Sequence, residues 1–139
     1  MVRASRSFGN ILLQIALGLM FIVSGIWILI GTGNDEIVIA INSILRGDAA
    51  RITRSVFAVI ELIVGVFLIL RIFVTLNTRL DSVLMVVIMI CWIIAIILID
   101  FLGSNGLLHC LNSRFLGFLY RLASHLLILG AIINVRGWS

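Results

Sequence analysis

Long apolar runs separated by short polar stretches organise this chain. Residues 1–6 carry Arg3 and Arg6, and no charged side chain follows until Asp35. Within that interval, residues 11–30 have the roughly 20-residue length of a helix that crosses a hydrocarbon core. Asp35 and Glu36 mark the exit, and residues 37–45 are apolar again but too short to cross. They predict a helix lying at the interface. The charged stretch 46–54 precedes a second span at 56–76, and a third at 83–99 is bounded by Asp81 and Asp100. A connection at 100–112 leads to a fourth span at 115–135. The pattern predicts an all-α membrane protein, a four-transmembrane-helix bundle with a short interfacial helix between helices 1 and 2. Four spans and their connections take up nearly the whole length, so residues 1–139 read as a single domain.

Composition agrees. Hydrophobic residues make up 63% of the chain and charged ones 12%, against roughly 45–50% and about 25% in water-soluble domains. Proline is absent and glycine numbers 12, which suits uninterrupted helices whose backbones approach closely. The net charge is +4 and all ten basic residues are arginine. They stand at segment ends and form no run, which points to membrane lipid phosphates as partners and away from nucleic acid.

Cys91 and Cys110 lack CxxC spacing, and no cluster of His, Cys and acids resembles a metal-ligand set, so neither a metal nor another cofactor is expected. His109 beside Cys110 is too little to make a redox site. Val23-Ser24-Gly25 could pass as a signal-peptide cleavage site, but the apolar run continues well beyond Gly25, which favours an uncleaved first helix.

Arginine placement bears on orientation. Arg3, Arg6, Arg71, Arg79 and Arg136 fall on the side of the termini, and Arg46, Arg51, Arg54 and Arg114 on the other. The small excess, together with the weight of the first helix, predicts both termini in the cytoplasm.

An ionisable group inside a span costs a few kcal/mol and calls for a partner, a watery cavity or a task. Glu61 and Arg121 are such groups. With alternating helix directions both lie roughly 9–10 Å deep from the same face, so they can meet. His125 and Gly117 stand four residues either side of Arg121, and Gly65 four after Glu61. Gly65 and Gly117 would let the second and fourth spans approach, and Ser24 sits at comparable depth on the first. The expected intramembrane polar cluster is therefore Glu61, Arg121, His125 and Ser24. It serves either as a structural ion pair or as a site for a polar head group or a proton. Gly18 and Gly25 line one face of the first helix as a packing seam, Gln14 is expected to bond across helices, and Trp92 sits mid-span. The third span looks wholly apolar.

Two stretches carry a family likeness. Residues 12–25, Leu-Leu-Gln-Ile-Ala-Leu-Gly-Leu-Met-Phe-Ile-Val-Ser-Gly, resemble the opening helix of the DoxX-like membrane proteins. Residues 60–68, with Glu61 and Gly65, resemble that family's second helix. Gln14 stands where the family often has arginine, and Trp27-Ile28 where a lysine commonly ends the helix. The resemblance implies a small bacterial inner-membrane subunit associated with a quinone- or thiol-linked redox complex, itself without the metal cofactor.

From these features the chain is expected to be a small accessory or scaffold subunit, more a partner than a catalyst, working with a membrane protein or with further copies of itself. The alternative is a small oligomeric transporter or channel lined by the Glu/Arg/His cluster. An enzyme would need a nucleophile–base pair or paired carboxylates, and neither is visible.

Overall fold

The structure, a computed structural model, describes residues 8–31, 36–74, 77–103 and 115–136. In these segments the chain forms α1 (Phe8–Ile30), α2 (Glu36–Ile44), α3 (Gly47–Phe73), α4 (Thr78–Ile96) and α5 (Phe115–Arg136). A π-helical turn, Ile97–Leu102, extends α4. Four helices, α1, α3, α4 with its π turn, and α5, are long and apolar enough to cross a membrane. The protein is a multi-pass, all-α membrane bundle, with the short α2 placed between the first two crossings.

Helix limits extend beyond the apolar runs. The charged stretch before the second span is the opening of α3: Gly47 turns the chain at φ +62°, and Asp48 stands in the first turn, where a negative charge suits the helix dipole. Arg51 lies 3.1 Å from Asp48 one turn on. Likewise α4 begins at Thr78, capped by Asn77, whose Oδ1 accepts from the Arg79 N–H at 3.1 Å. Charge ends an apolar run without ending a helix.

The most extensive contact in the bundle is between α1 and α3, and it rests on glycine. A Cβ placed on Gly65 would lie 2.6 Å from the Gly18 carbonyl oxygen and 2.8 Å from the Ile22 nitrogen; one on Gly25 would lie 2.7 Å from the Ala58 oxygen. Backbones meet here at distances no side chain permits, the means by which membrane helices gain van der Waals contact. Gly18 and Gly25 thus form the expected seam. Gly65 belongs to it too, facing α1 and not the fourth span. Gly117 does not pack: it is exposed, and a Cβ on it would meet nothing within 4 Å.

Inside the bundle Leu68, Met85 and Ile132 are fully buried and Leu17 nearly so. Outward, Leu12, Ile63, Val83 and Leu127 are all more than half exposed, a distribution that fits lipid as the surrounding medium. α2 buries Ile37, Ala40 and Ile41, and a Cβ on Gly103 would come 3.2 Å from Ala40 Cβ. The short helix therefore covers the end of the bundle where the π turn lies.

Candidate functional site

Ionisable side chains gather at both ends of the bundle interior. At the end formed by the α3–α4 turn, Arg71 and Asp81 are buried, at 4% and 5% exposure. The Arg71 Nη2–H donates to Asp81 Oδ2 at 2.7 Å, its Nε faces Oδ1, and Nη1–H donates to the Val135 carbonyl at 3.1 Å. The planar guanidinium thus engages the carboxylate with two nitrogens and fastens α5 to the α3–α4 hairpin. Beside it, the Gln14 Nε2–H donates to the Leu68 carbonyl at 2.7 Å, the expected bond across helices. At this end a buried guanidinium and a buried carboxylate engage each other directly.

The other end, beneath α2, is built differently. The π turn brings Asp100 wholly inside, at 0% exposure. Its Oδ2 lies 2.7 Å from His125 Nδ1, and its Oδ1 3.5 Å from Arg121 Nε. On the other side of the ring, His125 Nε2 lies 3.5 Å from Glu36 Oε2. Glu36, at the start of α2, is also 4.0 Å from Arg121 Nε. His125 thus stands between two carboxyl groups, one sealed and one half-exposed. Trp92 holds the assembly from α4: its indole N–H donates to the His125 carbonyl at 3.2 Å. Its ring meets Phe21 edge-on at 5.4 Å and His125 at 6.0 Å between centroids.

A cavity of about 170 Å³ opens against this cluster. Its polar lining comes from Ser24, Glu36, Glu61 and His125, and its apolar lining includes Phe21 and Trp92. Glu61 is buried, at 6% exposure. A pocket with apolar walls and a few convergent polar groups is the common form of a small-ligand site.

Of the residues singled out in the sequence, Ser24, Glu61 and His125 come together around the cavity. Arg121 joins them through Asp100 and Glu36. The sequence pattern places those two acids at segment boundaries, and in the bundle they lie against Arg121 and His125. The third span also needs correcting: α4 and its π turn supply Asp81, Trp92 and Asp100 to the interior. Signals for these existed. Phe101 and Leu102 prolong the apolar run past Asp100, and Arg71 and Asp81 flank the α3–α4 turn almost symmetrically. Cys91 is a free thiol, half-buried; Cys110, His109, Arg114 and Trp138 lie outside the described residues. Among the described residues no group of three His, Cys, Asp or Glu is placed to hold a metal ion.

Fold and site together define a four-span membrane bundle with a mainly apolar cavity, lined by a few ionisable groups, beneath a short capping helix. Comparisons with protein-family models, curated proteins and solved structures found no match.

Proposed function

We propose that this chain is a small accessory or scaffold subunit of a bacterial inner-membrane complex. A quinone- or thiol-linked redox partner is the version that the DoxX-like resemblance favours. The observation that carries this reading is the layer of Leu17, Leu68, Met85 and Ile132. Each of these side chains stands three or four residues from Gln14, Arg71, Asp81 or Val135 at that end, and none of them lines the cavity. A mainly apolar pocket with a few polar groups, in a bundle whose interior is otherwise filled by buried aliphatic side chains, suits holding or docking better than conduction. Purification from native membranes in mild detergent is the test: a stoichiometric membrane partner, with haem or flavin absorbance for the redox version, is expected. Recovery as a colourless homo-oligomer alone would overturn the proposal.

One observation favours a small oligomeric transporter instead. Glu61 and His125 line one interior space and Asp100 bonds His125, so three crossing helices bring ionisable groups together, as residues that mark ion pathways do. Proton-coupled uptake into liposomes by the isolated protein would decide for it.

For orientation we retain both termini in the cytoplasm. Arg71 is bound to Asp81 inside the bundle, so the choice rests on Arg3 and Arg6 ahead of the first crossing. Reporter fusions at Asn34 and Asn77 test it, with periplasmic activity expected at Asn34 alone.

A further inference from the structure

Every helix contributes to the cavity beneath α2, and most of its wall is apolar: Met20, Phe21, Ile37, Trp92, Ile99 and Ile128. Phe21 and Trp92 are buried and meet edge to face, and the Trp92 indole is tied to the His125 carbonyl, so the aromatic part of the wall is fixed. The polar part is held by contacts within the protein. His125 is pinned by Asp100 at 2.7 Å on one side of its ring, and on the other lies 3.5 Å from Glu36, which lines the same space. Ser24, Glu36 and Glu61 likewise have partners of their own. A guest therefore meets a ring-sized apolar space bordered by the edge of a polar network that is already bonded. An ion entering it would give up its water and compete for groups that are engaged elsewhere, whereas a neutral molecule gives up far less and leaves the network intact.

We propose that this cavity binds a small uncharged hydroxyl compound, a phenol or an alcohol with a ring-sized apolar body. Size sets the body: an apolar cavity of about 150 Å³ admits benzene, and this one, at about 170 Å³, has room for a ring with one oxygen. Phe21 and Trp92 offer that ring aromatic surface on which to pack. The network selects the polar group. An imidazole nitrogen donates in one tautomer and accepts in the other, and a carboxyl group accepts when ionised and gains a donor when protonated. A hydroxyl both donates and accepts, so it bonds to His125 or to a carboxyl oxygen at the cavity edge in either state; an ether or carbonyl oxygen only accepts. Glu36 is half-exposed, while Phe21, Glu61, Trp92 and His125 are buried, which places the mouth of the site at the start of α2 and its floor inside the bundle.

The site does not depend on the accessory-subunit proposal, since binding is measured on isolated protein and co-purification is indifferent to it. Calorimetric titration of the full chain in lipid nanodiscs, with protein-free nanodiscs as the blank for partitioning into lipid, should use phenol at pH 7, where it is uncharged. Toluene serves as the apolar counterpart, and benzoate and benzylammonium as the charged ones. Saturable binding of phenol is expected, at least about threefold tighter than toluene, a factor that corresponds to one modest net hydrogen bond. It should also be at least about tenfold tighter than either ion, because both would be stripped of water. Ile128→Phe, which adds bulk to an apolar part of the wall, should weaken phenol binding by about tenfold or more, and His125→Leu should remove the preference over toluene. Toluene bound as tightly as phenol, either ion bound more tightly, no saturable binding of phenol, or phenol binding unchanged by Ile128→Phe would each overturn the proposal. The four-ligand comparison on unaltered protein decides the matter even if the variants fail to fold.

Discussion

The two ends of this bundle use the same chemical groups to different ends. At the α3–α4 turn a guanidinium and a carboxylate meet one to one, and the Val135 carbonyl takes a further guanidinium N–H. Beneath α2, Asp100 and Glu36 share Arg121 and His125, and a cavity is left beside them. Sharing and room, more than residue type, separate a staple from a site. A pair engaged directly across two helix ends holds the helices together; a shared network beside a cavity has capacity for something else.

That contrast can be broken experimentally. Arg71→Leu strands a buried carboxylate and should have the largest effect, lowering stability by about 3–5 kcal/mol; adding Asp81→Leu should recover much of the loss. Unfolding of the detergent-solubilised protein measures both, and if the double variant is no better than the single, the pair is not the source of the effect. Gly65→Ala comes next, at about 1–3 kcal/mol, because the new methyl would meet backbone of α1 with little freedom to move. Gly117→Ala should change stability by less than about 0.5 kcal/mol, so similar losses at both glycines would contradict the packing described.

At the α2 end, His125→Leu and Asp100→Leu should each destabilise by about 1–3 kcal/mol. Their effects should be coupled, because the Nδ1–Oδ2 bond joins them. Additive losses would mean that the two act separately. The smallest effect belongs to the exposed Arg51–Asp48 pair, where Arg51→Ala should stay within about 0.5 kcal/mol.

How much of this could be read from the sequence follows from what each feature depends on. Span length depends on apolar runs, so the four crossings and the short helix after the first were legible. So was the seam of Gly18 and Gly25, which one helical period defines. Ser24, Glu61 and His125 were recognisable because polar side chains inside apolar runs stand out. Asp81, Asp100 and Glu36 were not, because an acid at the edge of a run reads as the end of a helix. Whether it lies in water or in the interior depends on how far the helix continues and what it meets. Gly65 and Gly117 illustrate the same limit: both stand four residues from a charge, yet only Gly65 faces a neighbour.

The π turn at Ile97–Leu102 acts on α4 as a gear change. A π turn accommodates one residue more than an α turn, so the chain beyond it falls back by about one residue's rotation, roughly 100°. Asp100, carried within that turn, faces inward toward His125 and Arg121. Removing one residue from the turn would let α geometry resume and swing the carboxyl group toward another face. A single-residue change in length, with every polar side chain retained, would then dismantle the cluster.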